Sequence, residues 1–525
     1  MHFKDRTLIT LLLACTLMWI GSALAHEDDD LGNVSFATSC DPKVQALFER
    51  GVAMLHSYWF GYAGKTFGTI LQQDPQCAMA HCGVALDLMG NILGTPPSLK
   101  NAQAGWEAIE KGRALGAKTE RERDWIAAAA TYYRDYATVS ADARLLAYTK
   151  AMEKLVQRYP QDFEAQVFYA LTLQASAPKT DMTYANQLKS AAILDKLYQQ
   201  NPQHPGVSHF LIHAFDYPPL AEKGIPAARR YAGIAPAVPH ARHMPSHIYS
   251  MVGMWEDSIA ANAKALEIQS DYRHASDFTV YAHLQLAQDA KAKAAMDKTF
   301  NTPDRGDRPV GAGNFTAMAA MPARYMLERA DWKGAAALEV RPSKYPMADS
   351  LTHFSRGLGM ARSGDLAGAK REVDAIKVLR AVLEKAGDRY WADRSDEQML
   401  AISAWIAYAE GAGEQALKFM RAAADGENAS VKHIIMENRL YPLRELYAEM
   451  LMAMGQAGPA LREYEAALAE NPNRFRGLYG AARAAEAGGE RRKAADYYTK
   501  LVALTKNADS ARPELAQAKA YVAQR

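Results

Sequence analysis

Apolar residues recur at three- and four-residue intervals along nearly the whole chain, interrupted by short polar turns, and no stretch sustains strand-like alternation. The pattern predicts helices throughout. A longer period is laid over it: Gly455, Ala460 and Tyr464 return as Gly489, Ala494 and Tyr498, each 34 residues later. The spacing Ala460-x3-Tyr464 followed by Pro472 is repeated near the start by Ala63, Phe67 and Pro75. A small residue where two helices cross lets their backbones approach, an aromatic fills the gap beside it, and proline opens the next unit. Each helical pair then carries an apolar face that it cannot bury alone, so the units must stack.

This pattern resembles the tetratricopeptide repeat (TPR) family. The resemblance covers most of the chain and implies an all-α solenoid of antiparallel helix pairs with a 34-residue period. It also implies a concave groove that takes a protein or peptide partner. Two stretches interrupt the array. "NTPDRGDRPVGAGN", residues 301–314, is rich in Gly, Pro and charge and reads as a loop, and "EVRPSKYPMADS" is a weaker break. The expected organisation is an N-terminal array over 35–300, the loop, and a C-terminal array over 315–525.

The first thirty residues break the helical pattern in another way. Lys4 and Arg6 precede an apolar run from Leu8 to Ile20 and the small-x-small triplet Ala23-Leu24-Ala25. This reads as a signal peptide spanning 1–25, and as a periplasmic or secreted chain beginning at His26. Lipoprotein anchoring at Cys15 is the lesser alternative. Residues 26–34, led by "HEDDD", read as a mobile acidic terminus. No later run reaches membrane length. With 61 Lys plus Arg against 59 acidic residues, nothing favours nucleic acid. After cleavage Cys40, Cys77 and Cys82 remain, and an oxidising compartment allows one disulfide. Cys40 and Cys77 both stand at helix starts, which favours that pair and leaves Cys82 free.

The chemistry concentrates in one place. Of 14 histidines, eight fall between His204 and His283, three of them in "HARHMPSHIYS" at 240–250. They keep the repeat register. His209 and His243 are 34 apart, as are His213 and His247, while His240 is followed 34 residues later by His274. Residues four apart share a helix face, and packed helices run about 8–10 Å axis to axis. His209, His213, His243 and His247 can therefore converge on one transition-metal ion, at about 2.0–2.1 Å per nitrogen for zinc. His240, His274, Asp216 and Asp277 are candidates for further ligands or for groups that orient an imidazole. Imidazole donors suit zinc or copper first, and also nickel and iron. Pro245, between His243 and His247, predicts a helix start or a kink. Metal binding requires neutral imidazoles, so such a site should lose metal as pH falls through about 6.5.

By resemblance to TPR proteins these positions open onto the concave groove. Tyr281, Arg324, His56 and His433 are further groove candidates. Neither His209-x3-His213 nor His243-x3-His247 carries the Glu of the HExxH zinc-protease motif; Phe210 and Met244 stand in its place. Three functions remain open: an exported binding or assembly module with a metal-holding histidine site, a metal-dependent hydrolase or oxidase using the same cluster, and a metal-free peptide scaffold. "HPGVSHFLIHAFDYP" and "AARRYAGIAPAVPHARHMPSHIY" resemble an exported bacterial TPR subgroup, which implies architecture and no activity.

Overall fold

The computed structural model describes residues 31–306, 311–436 and 439–524. Among these residues the chain is helical throughout, without strands, and consecutive helices joined by short turns pack in antiparallel pairs. The signal-peptide reading, Cys15 and His26 lie outside the described residues. Among the described residues no helix is long and apolar enough to cross a membrane.

The small-x3-aromatic pattern works as packing. Ala63 and Phe67 are buried on Tyr62–Gln73, and a Cβ placed on Gly83 of the next helix would stand 2.5 Å from the Phe67 ring. Tyr464 likewise fills the space over Gly480. Glycine at these two positions leaves the ring its room.

The three units that carry the histidines step evenly. Their first helices begin at Pro205, Pro239 and Arg273, and their second at Ala221, Trp255 and Asp289, 34 residues apart each time. In the two preceding units the step is longer: 43 from Glu120 to Phe163 and 42 from Phe163 to Pro205. Capping marks these starts. His204 accepts a hydrogen bond from Val207 N at its Nδ1, and Pro205 and Pro239 occupy first-turn positions where no helical N–H is needed. At Pro245 the ladder breaks into Pro239–His243 and Pro245–Met251, yet Met244 keeps helical dihedrals of −53° and −35°. The proline interrupts the hydrogen bonds without turning the two histidine faces apart.

Three expectations need correction. The 301–314 loop is shorter, because Asp289–Asn301 ends in it and a new helix starts at Ala312. From Leu31 onward the leading segment is tied down: Leu31 is buried, and Asn33 N donates to Gln203 O at 2.9 Å. Finally, the inner face beside the histidines is filled by the chain itself. Val431 and Ile434 belong to the N-terminal core, and Val431 N donates to Lys179 O. Further along, Trp255 Nε1 donates to Asn473 O at 2.8 Å, and Phe475 N to Gln285 Oε1 at 3.0 Å.

Cys40 and Cys77 form a disulfide, and Cys82 is buried and free. The bond ties the lead-in segment to the N-cap of Ala78–Met89 across 37 residues. Closing a loop of that length should contribute roughly 3–4 kcal/mol. The Cys40→Ala, Cys77→Ala variant is expected to lose about that much in urea unfolding; an unchanged midpoint would mean the terminal packing suffices alone.

Candidate metal centre

Six histidines meet on the inner side of the three even units, as two groups of three. His209 and His213 lie one turn apart on Pro205–Phe215 and are joined by His240, from the first turn of Pro239–His243. His243 and His247 are joined in the same way by His274, from the first turn of Arg273–Gln285. Within each triad one ring nitrogen per histidine lies within 4.8 Å of the others. The four expected histidines, His209, His213, His243 and His247, are thus divided between two triads, each joined by a third donor from the next helix start.

The hydrogen bonds assign most of the protons. His209 Nδ1 lies 2.6 Å from the carbonyl oxygen of His56, which can only accept, so Nδ1 carries the hydrogen and Nε2 a lone pair. His243 Nδ1 lies 2.6 Å from Asn262 Oδ1, and the orientation of that amide is fixed because its Nδ2 donates to Ser258 O. His247 Nδ1 lies 2.9 Å from Asp216 Oδ2. Both His243 and His247 thus turn lone pairs inward, and their Nε2 atoms stand 3.1 Å apart. In the first triad His209 Nε2 and His240 Nε2 are 3.0 Å apart, with His240 Nδ1 on Tyr272 OH at 2.9 Å. Both ring nitrogens of His213, and Nδ1 of His274, are buried without a partner. A buried unsatisfied polar group costs about 1–3 kcal/mol. Two facing lone pairs need an electrophile between them, either a proton or a cation.

A proton is disfavoured near neutrality. Burial lowers His209 to about 3 and His243 to about 4, and drives His213, His240, His247 and His274 well below the ordinary value. Asp216, whose carboxyl burial raises, is neutralised by Lys432 Nζ at 3.0 Å. The rings are also walled in. Tyr58 stacks on His213 and His240, Tyr231 on His209, and Phe278 lies against His243, His247 and His274. Relative exposure is 0% for His209 and His243, 3% for His213 and 2% for His247, while His240 and His274 are half-buried. The expected open groove is a buried, aromatic-walled centre, since the 431–436 segment packs where solvent would enter.

Other expected residues go elsewhere. Asp216 holds an imidazole, but Asp277 pairs with Arg324 at 3.6 Å, away from the triads. Arg324 also donates to the Arg439 and Leu440 carbonyls and lies over Tyr281. Tyr281 accepts from Arg474, which pairs with Glu445 and Glu328, so these residues lock the two arrays together. His433 packs at a tilt against Tyr390 and Trp391 and leaves Lys432, its neighbour, to reach the histidines through Asp216. His56 and His204 both meet Glu164, at 2.7 and 2.8 Å, and their donor atoms also lie within 4.8 Å of one another. His204 Nδ1 accepts from Val207, so its Nε2 donates to the carboxylate. The group is a hydrogen-bonded clasp that presents the His56 carbonyl to His209. Glu164, Asn262, Tyr58 and Lys432 carried no pattern that ties them to the cluster, because each arrives from a distant unit or the opposite helix.

The sign of the acid response follows. Unfolded imidazoles take up protons near pH 6.5, whereas folded His243 does so only near 4 and His209 near 3. Between those values the unfolded state binds more protons, so the metal-free fold should lose stability as pH falls from about 7 to about 4. Glu164 adds to the loss below about 4.5: burial raises its carboxyl, but His204 and His56 outweigh that and bring it to about 2. Asp216, raised by burial, opposes it in part. Urea unfolding in chelator at stepped pH measures the slope; a flat profile would contradict neutral buried histidines. For the same reason metal affinity should persist well below the pH 6.5 expected of exposed imidazoles.

A scan of protein-family models finds no match for the chain, and a search of curated proteins finds none. Among solved structures, the APC/C hetero-tetramer Cut9–Hcn1 aligns at 10% identity over 90% of this chain and 89% of that chain, with a TM-score of 0.32. Naa15/Naa10 bound to HypK-THB aligns at 11% identity over 91% of this chain and 73% of that chain, with a TM-score of 0.26. Overlap this loose decides nothing about fold or function here; the helical array rests on the chain's own packing.

Proposed function

We propose that this protein is a helical-repeat metalloprotein whose two histidine triads each hold one transition-metal ion. The observation that carries the reading is the protonation pattern around His243 and His247. Asn262 and Asp216 take both Nδ1 hydrogens, leaving two lone pairs 3.1 Å apart in a buried site. Holding the far nitrogen of a ligating histidine is how proteins fix its tautomer and aim it at a metal. Three nitrogens per ion leave a coordination position open, which suits zinc or copper chemistry more than a closed structural site. A peptide ligand is less well supported, because the inner face beside the histidines is occupied by residues 431–436. The discriminating experiment is metal analysis of untagged exported protein, then titration of His243→Ala, His247→Ala. Two ions per chain are expected in wild type and one in the variant. Equal binding by both proteins, or by neither, would sink the reading.

A further inference from the structure

Resting on that reading, we infer that the two triads form a single paired centre that, loaded with copper(I), binds dioxygen between its ions. The first ground is proximity. The ring centroids of His240 and His243 are 6.0 Å apart, and those of His213 and His247 are 6.1 Å apart. Both distances are shorter than the 6.5 Å between His213 and His240 inside one triad. The six rings thus make one continuous patch in which two ions, one per triad, would be neighbours; two-metal sites that act on one small ligand hold their ions about 3.5–4 Å apart.

The second ground is charge. An imidazole ligates as the neutral ring, and the Asp216 carboxylate beside His247 is already matched by Lys432. Two divalent ions would place four uncompensated charges in this largely buried site, whereas two copper(I) ions place two, and the peroxide dianion formed on oxidation would return the pair to two. Copper also stands highest among divalent metals for nitrogen sites, so the oxidised pair is retained.

The third ground is what can enter. A cavity of about 30 Å³, lined by Leu55, Phe60, Met89, Phe168 and Phe210, abuts Tyr58 and His56. Its lining suits a small apolar molecule better than an anion. Tyr58, between this cavity and the first triad, is held in left-handed backbone at φ 53°, which a bulky residue adopts only when its surroundings impose it. Its phenol oxygen is buried without a hydrogen-bond partner. A donor placed there can meet an oxygen atom held at the ions. The step balances without a further reactant: each copper(I) gives one electron, dioxygen takes both, and no proton is consumed.

The test uses the untagged exported chain, loaded anaerobically with copper(I), counted for metal and then titrated with dioxygen. Expected are two coppers per chain, one dioxygen taken up per pair, a new near-ultraviolet absorption, and no copper(II) paramagnetic signal because the two spins couple. Two coppers with no uptake, or with oxidation to separate paramagnetic ions, overturn this inference and leave the metal centre standing. One copper per chain overturns the pairing. No copper or zinc at all overturns the proposed function as well. His240→Gln is expected to bind one copper and to abolish uptake; if it misfolds, the wild-type counts still decide.

Discussion

Metal should stabilise the wild-type fold by about 5 kcal/mol when each free ion stands at a hundred times its dissociation constant, since each site contributes about 2.7 kcal/mol by mass action. The variant that separates this from packing is His213→Leu. Both nitrogens of His213 are buried and unpartnered, so in the metal-free chain a leucine removes two unsatisfied polar atoms and keeps most of the volume. Its metal-free stability should stay within about 1 kcal/mol of wild type, or rise. Its metal-dependent gain should fall by half, because only His243, His247 and His274 remain complete. Denaturant unfolding with and without metal gives both numbers. A large loss in the metal-free state with an unchanged metal response would identify His213 as a packing residue.

Lys432→Met should cost about 3–5 kcal/mol, the loss expected when one member of a buried ion pair is removed and the other is left uncompensated. Lys432 is 5% exposed and Asp216 1%, and Lys432 also donates to Met436 O at 2.8 Å, closing the segment over the histidines. Asp216→Asn with Lys432→Met should recover much of that loss, since no buried charge remains. The double-mutant cycle reads the coupling directly. In the single variant, Asp216 should protonate more readily and hold His247 Nδ1 less firmly, so metal affinity should fall by roughly 10–100-fold, as for other groups that orient a ligand. A loss under about 1 kcal/mol would show that water reaches Asp216 and that the segment is not a cover.

The helical class was legible from apolar spacing, and the placing of Cys40 and Cys77 at helix starts pointed to the disulfide. The 34-residue register of His209 with His243, and of His213 with His247, was enough to bring them to one side. These are local quantities: helix periodicity and repeat spacing depend on residues near in sequence. The register was not uniform along the chain, because longer helices such as Ala141–Arg158 and Ala185–Gln200, together with longer turns, lengthen other units.

The tertiary structure decided the rest, since it depends on which distant segments meet. It divided the four expected histidines between two triads, each with a third donor that projects from the next helix start. It turned a groove into a buried centre, because the segment carrying Lys432 returns from 216 residues away to cover Asp216. It sent Asp277 to Arg324 and Tyr281 to Arg474. By itself the sequence determined which histidines could share a face; only the tertiary packing determined that the Nε2 atoms of His243 and His247 face one another 3.1 Å apart between buried rings.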